Sequence, residues 1–471
     1  MKKPLRWAVP GLVALAMTAC IKREPGARGA DDADAGPVVP ATVRLEPKTR
    51  FQTLEGFGAS VGWHLDRITG ETPEGLYELL FPELGLDILR FRNRYGRSKR
   101  DDAYLQHEVE ILARATKALG RAPRLLMSSW SPPASLKATR KEDCTGNSDC
   151  TLAREGGSFV YEKFAQYWYD SLVHYDSLGI RPEWVSIQNE PSFSPPSWEG
   201  CQFAPSETSE HPGYDRALKV TVEKLRTLPN PPKILGPEVL GIHWNRPQNF
   251  MATLDPALLD GMAHHLYERG NDTMWDWRSP GPDSFIDEMQ AVRALTDKPI
   301  FMTEFNTDED RGTDGGFETA WLVHNSLVEE SVVAWLYWDL IWTGRKGLVG
   351  MSGKKPLVRD HYYALKHYAR YTDPGDVRVE ATSSTRDVRA TAFLSPESDR
   401  LTVVLLNTGK KARSVSLDRG GFRAPGATVF RTRFRPPRPA EAWKEVPVAE
   451  GALEVSLPPR SVATVVLGRA S

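Results

Sequence analysis

Trp184-Val185-Ser186-Ile187-Gln188-Asn189-Glu190-Pro191 is a short run in which apolar and β-branched residues give way to polar ones and then to proline. Its length suits one buried strand, and Pro191, which has no N–H to donate, closes it. Seven similar runs occur at 54–59, 87–91, 124–130, 233–238, 261–267, 300–305 and 332–338. Longer amphipathic stretches separate them. In 107–119, for example, Val109, Leu112, Ala113, Thr116 and Leu119 share one helical face, and 161–175 is rich in aromatics. Eight alternating β and α units predict an α/β fold, a (β/α)8 or TIM barrel over residues 51–374.

The pattern changes after Pro374-Gly375. Segments 377–381, 390–394, 401–407, 414–417, 428–433 and 462–467 are all short and strand-like, with Gly or Pro between them. They predict a C-terminal all-β sandwich side domain. Residues 42–45 are also strand-like, so the side domain is expected to comprise 41–50 plus 375–471, joining the two ends of the chain.

The 471 residues include 60 Lys+Arg and 61 Asp+Glu, a net charge of -1. Such a balance supplies no basic field for a phosphate backbone, which argues against nucleic-acid binding. Disorder is excluded by 14 Trp, 14 Tyr and 17 Phe, enough to bury a large core. The first 20 residues have the charged, apolar and small-residue order of a secretory signal. Met17-Thr18-Ala19-Cys20 resembles a bacterial lipobox, so Cys20 is expected to be the lipidated N-terminus, with residues 21–40 as a flexible tether. The expected location is a membrane-anchored lipoprotein or the extracellular space. Export permits disulfides, and Cys144, Cys150 and Cys201 allow one bridge with one thiol left over. The short Cys144–Cys150 loop and a long link to Cys201 both remain open. Three Cys without a fourth partner make an incomplete zinc site, so no metal is expected.

A barrel of this kind carries its chemistry at the C-terminal ends of its strands. The fourth run ends in Asn189-Glu190 and the seventh in Thr303-Glu304, each placing a carboxylate at the rim. Two carboxyl groups facing one cavity are the minimum equipment of a retaining glycoside hydrolase, one as nucleophile and the other as acid and then base. Arg90, Trp130, His265, Tyr267 and Trp338 close other runs and suit sugar recognition, since an indole at a rim can stack on a pyranose.

These residues carry a resemblance that spans nearly the whole exported chain. Glu55-Gly56-Phe57-Gly58, Ser129-Trp130-Ser131-Pro132-Pro133, Ser186-Ile187-Gln188-Asn189-Glu190-Pro191, His265-Leu266-Tyr267, Thr303-Glu304, Tyr363-Ala364-Leu365 and Asp373-Pro374-Gly375-Asp376-Val377-Arg378 resemble glycoside hydrolase family 30. The resemblance implies Glu190 as acid/base and Glu304 as nucleophile. It also implies Asn189 on the sugar 2-OH, Tyr267 positioning the nucleophile, and Arg90, Trp130 and Trp338 shaping the subsite at the cleaved bond. A double displacement on two carboxylates requires no cofactor. Within the resemblance, the loops around Tyr267 look closest to the xylanase branch. Where glucuronate-requiring members have an Arg after the eighth strand, this chain has Asp339-Leu340-Ile341-Trp342, with Arg345 a few residues on.

The reading is therefore an endo-β-1,4-xylanase-type enzyme, expected as a monomer, whose partners are a polysaccharide or glycoside and, through the lipid, a membrane. A β-1,6-glucanase or glucosylceramidase-like β-glucosidase is the alternative, and a non-catalytic carbohydrate-binding surface lipoprotein is the alternative of another class. Trp198, Trp244, Trp275, Trp277 and Trp342 are candidates for an extended groove. Glu238 is read as supporting the site rather than reacting. Asp308, Glu309, Asp310 and Asp314 are read as a solvated acidic loop, and His174, His243 and His264 as structural.

Overall fold

Eight strands, Gly56–Ser60, Ile88–Arg92, Arg124–Ser128, Trp184–Ser186, Lys233–Val239, Gly261–His265, Ile300–Glu304 and Ala334–Tyr337, pair in parallel and in chain order. The eighth then pairs with the first, closing the barrel. This computed structural model describes residues 37–96, 99–144, 149–267, 281–306, 315–342, 346–424, 426–434, 440–448 and 453–468. The signal, Cys20 and most of the tether lie outside them, as do Trp275, Trp277, Asp308, Glu309, Asp310, Asp314 and Arg345.

Inward-facing Ile88, Leu126, Trp184, Leu235, Ala263, Phe301 and Leu336 fill the barrel as a separate small core. The opposite faces of the strands pack on surrounding helices. Helix Tyr161–Ser177 shows why: Tyr161, Phe164, Ala165, Trp168, Leu172 and Tyr175 recur every three or four residues, and all are buried. Each large apolar side chain so buried contributes about 1.5–3 kcal/mol before entropy is counted.

The fourth strand is shorter than its sequence suggests. It ends at Ser186, because Asn189 and Glu190 leave its ladder. Asn189 N–H donates to Ser129 O at 2.8 Å, and Glu190, at φ 49°, donates to Glu238 O at 3.0 Å. A positive φ at a non-glycine residue stores strain, and here it turns a carboxylate across the barrel mouth.

Nine strands form the second sheet in the order Glu441–Val446, Ala427–Arg433, Ser461–Leu467, Leu401–Asn407, Val388–Leu394, Val377–Ser383, Val39–Thr53, Arg413–Asp418, Glu454–Leu457. The sheet folds around its own core, which includes Val43, Leu45, Val379, Val403, Leu405, Val415 and Val465. Strand Val39–Thr53 is far longer than 42–45, and its register with Val377–Ser383 shifts on either side of Arg50. Glu441–Val446 and Glu454–Leu457 were not legible as strands. They are the two edges of the sheet, where charged residues replace the apolar signal.

The sandwich docks on the barrel through strands buried on both faces. Leu401, Val403 and Leu405 enter the sandwich core, while Val404 and Leu406 join the barrel's. His367, on helix Asp360–Ala369, holds this seam: Nδ1 lies 2.8 Å from Thr464 Oγ1 and Nε2 2.8 Å from Thr432 Oγ1. Burial and neighbouring Lys366 depress its pKa to about 3, so the ring is neutral. The unfolded chain takes up a proton near pH 6.5 that the folded seam refuses, so this contribution is complete above that pH and is lost as pH falls toward 3. His367→Ala should lower the unfolding free energy by about 2 kcal/mol at pH 7 and flatten the fall in stability between pH 6.5 and 4.5, measured by urea titration at each pH.

Candidate active site

Arg90, on the second strand, is fully buried in the barrel mouth, and five side chains converge on it. Nη1 donates to Glu304 Oε2 at 2.6 Å and to Ser60 Oγ at 3.3 Å. Nη2 donates to Asn189 Oδ1 at 2.6 Å and pairs with Glu238 Oε1 at 3.1 Å, while Nε reaches Ser128 Oγ at 3.2 Å. The flat guanidinium fork thereby fixes groups from the first, third, fourth, fifth and seventh strands in one plane. Above it lies the Trp130 ring, centred 4.4 Å from the guanidinium carbon.

His265, closing the sixth strand, is the second buried cation. Nδ1 lies 2.9 Å from Glu190 Oε1, and Nε2 is 3.8 Å from Glu238 and 3.9 Å from Glu304. Burial opposes its charge, but the charge of Glu304, the hydrogen bond to Glu190 and the nearby Glu238 carboxylate prevail and raise its pKa to about 9. Glu238 is also fully buried. Arg90 and His265 overcome that penalty and hold it near 2, so it is anionic. Burial raises the pKa of Glu190 despite His265 beside it, with the charge of Glu304 adding to the rise.

The two rim carboxylates thus share one cavity in different environments. Glu304 faces Arg90, whereas Glu190 tends to keep its proton. One oxygen of each and a nitrogen of His265 lie within 4.8 Å of one another. The three could in principle ligate a cation, but Arg90 and His265 already supply the positive charge and fill oxygen positions on both carboxylates. Tyr267, partly exposed, has its phenol raised well above its usual range, first by burial and then by the charges of Glu304 and Glu190.

Indoles wall the other side. Trp130 and Trp338 are nearly buried with ring centres 5.6 Å apart, and Trp63 packs edge-on at 5.8 Å and 5.1 Å from them. Trp342 adds a fourth ring 6.0 Å from Trp338. Trp63 escaped the sequence reading, although it lies just beyond a strand end, as Trp130 does. Its turn is set by Asp339, whose Oδ2 accepts from Gly62 N at 2.9 Å and Trp63 N at 3.4 Å. Gly62 is needed there, since a Cβ would sit 2.5 Å from the Trp338 ring. Arg92 stacks on Trp63 at 3.7 Å and pairs with Glu199 at 3.1 Å.

The structure therefore brings Arg90, Trp130, Asn189, Glu190, His265, Tyr267, Glu304 and Trp338 to one cavity. Of the groove candidates, Trp342 joins it, Trp198 packs near Phe193, and Trp244 is 60% exposed on the loop after the fifth strand. Cys144 and Cys150 form the disulfide, leaving Cys201 as a buried thiol whose pKa burial pushes up to about 12. His243 pairs with Glu288 at 2.8 Å, and His174 packs beside Tyr95.

Comparison with known proteins agrees with this geometry. Residues 375–465 match the family model described as the glycosyl hydrolase family 30 beta sandwich domain. Glucuronoxylanase XynC of Bacillus subtilis (strain 168) is 22% identical over 435 residues, spanning 91% of this chain and 92% of the relative. Among solved structures, the catalytic domain of xylanase C from Talaromyces cellulolyticus superposes with a TM-score of 0.70 at 19% identity, covering 91% of this chain and all of that one. An endo-β-1,6-glucanase superposes at 0.68 with 16% identity, covering 91% and 94%. A side domain that matches that family, fused to a barrel with paired carboxylates at its mouth, makes the chain similar to the enzymes of glycoside hydrolase family 30 and marks it as a glycoside hydrolase.

Proposed function

We propose a retaining β-glycanase that cleaves by double displacement, with Glu304 as nucleophile and Glu190 as acid/base. The observation that carries this is that the two carboxylates face each other across one site, with an oxygen of each within 4.8 Å of the other, a close pair of the kind a retaining enzyme needs. Glu304 attacks the anomeric carbon while Glu190 gives its proton to the departing glycosidic oxygen, leaving a glycosyl ester on Glu304. Loss of the Glu304 charge then lowers the proton affinity of Glu190, which deprotonates the water that cleaves the ester. In this reading Asn189, whose Oδ1 accepts from Arg90, binds the sugar 2-OH.

Because Glu190 must begin protonated, kcat/KM should fall at alkaline pH as it ionises. Glu190→Gln should abolish that limb along with most turnover of poor leaving groups, read from pH profiles on aryl glycosides. NMR of the first-formed sugar should show retained β configuration, and an inverted product would sink the mechanism.

For the substrate, we favour an unsubstituted or lightly substituted β-1,4-xylan cut internally. Similarity to a glucuronoxylanase and a xylanase and the four-indole wall support xylan, and Asp339-Leu340-Ile341-Trp342, with no arginine after the eighth strand, weakens glucuronate recognition. The likeness to a β-1,6-glucanase supports the second reading. Product analysis on glucuronoxylan, plain xylan, β-1,6-glucan and glucosylceramide separates them. Anchoring through a lipid on Cys20 belongs to the same proposal, and mass spectrometry of the exported N-terminus tests it.

A further inference from the structure

One buried ionisable pair beneath the site has no part in the chemistry above. His264 is next to His265 on the sixth strand, but it faces the helix layer, where its Nε2 lies 2.5 Å from Glu330 Oε1. Neither side chain is exposed. His264 Nδ1 lies 2.9 Å from the carbonyl oxygen of His265. A carbonyl only accepts, so Nδ1 carries a proton and leaves Nε2 as the nitrogen that meets Glu330.

Glu330 is delivered by unusual backbone. Helix Gly315–Asn325 passes into a π-helical turn, Ser326–Glu330, which ends at Ser331 with φ 62°. Such turns are rare and recur at functional sites. On the other side of the pair, the ladder between the sixth and seventh strands is irregular: Met302 faces His264, but the next partners are Glu304 and His265, with Thr303 skipped. This step lets His265 and Glu304 face one cavity, and it also removes the regular ladder that would fix them. A dry ion pair is a poor source of net stability, so its presence here calls for another role.

We infer that His264 and Glu330 are a positioning dyad: by holding the His265 carbonyl, they set the imidazole that hydrogen-bonds Glu190. The groups facing Glu190 are His265, Glu304, Arg90 and Tyr267, with Glu238 behind His265, and of these His265 is the one bonded through its carbonyl to the dyad. The inference rests on the reading of Glu190 as the acid.

The test compares Glu330→Leu, Glu330→Gln and the double variant His264→Leu/Glu330→Leu. Glu330→Leu strands a buried imidazole and should lower the melting temperature, whereas the double variant removes both partners and should restore it. A dyad that only stabilises would then restore activity too. A positioning dyad leaves the refolded double variant about tenfold down in kcat with KM within about twofold, and with its alkaline limb displaced. Glu330→Gln, which keeps a polar group against Nε2, should recover kcat relative to Glu330→Leu. Wild-type kcat and an unmoved limb in the double variant overturn the inference. Should Glu190→Gln keep the alkaline limb, the acid assignment fails by itself, and the kcat of the double variant still decides the dyad.

Discussion

Glu304→Gln should cut kcat by about four orders of magnitude while leaving the fold and substrate affinity nearly intact. The amide matches the carboxylate in shape, and its oxygen still accepts from Arg90 Nη1, now 2.6 Å from Glu304 Oε2. What it loses is the electron pair that forms the glycosyl ester. The comparison is steady-state turnover on the best glycan of the panel, with unfolding followed in parallel. Near-full turnover would move the nucleophile elsewhere. Among the described residues, the other buried carboxylate paired with Arg90 is Glu238, and a matched Glu238→Gln variant would show whether it had been misread.

Arg90→Leu should be the most damaging substitution for stability, at about 3–5 kcal/mol. The guanidinium is fully buried, and its removal leaves Glu238 and Glu304 facing each other with only His265 to balance them. The sign of the pH dependence identifies the cause. In the native protein Glu238 is held near pKa 2, chiefly against burial by Arg90, so its contribution is present above its unfolded value near 4.5 and disappears as pH falls toward 2. In Arg90→Leu the pKa of Glu238 should rise above the unfolded value, so the deficit should shrink on mild acidification. Arg90→Lys should fall between, because a point charge cannot serve Asn189, Glu238 and Glu304 in one plane. Urea midpoints at pH 7 and pH 5 measure both effects, and an equal deficit at the two pH values would exclude the uncompensated carboxylate as its source.

The barrel was legible because each inner strand is apolar on both faces, which leaves a compact signal bounded by turns. Every predicted strand begins within two residues of an observed one, from Gly56–Ser60 to Ala334–Tyr337. Strand ends were less legible where polar residues leave the ladder but stay buried, as with Asn189 and Glu190. The two carboxylates could be located because strand ends converge by topology. The network joining them could not, since Arg90 to Glu304 spans 214 residues and nothing local records the pairing. Trp63 was missed for a different reason: it follows a strand by a turn whose shape depends on Asp339, 276 residues away. Likewise His264 looked like an ordinary core histidine until its partner, Glu330, was seen in the π-helical turn.

Strand Val39–Thr53 bears on how this chain leaves the ribosome. It pairs with Val377–Ser383 and Arg413–Asp418, and its Thr42 N–H bonds a serine 342 residues downstream. At about 5–20 residues per second, translation exposes that strand for on the order of tens of seconds before any partner exists. The barrel, made wholly of the intervening chain, can close first and offer a surface on which the sandwich then assembles around the waiting strand. A chain cut short after the barrel would keep that strand as an unpaired edge, inviting association with another copy.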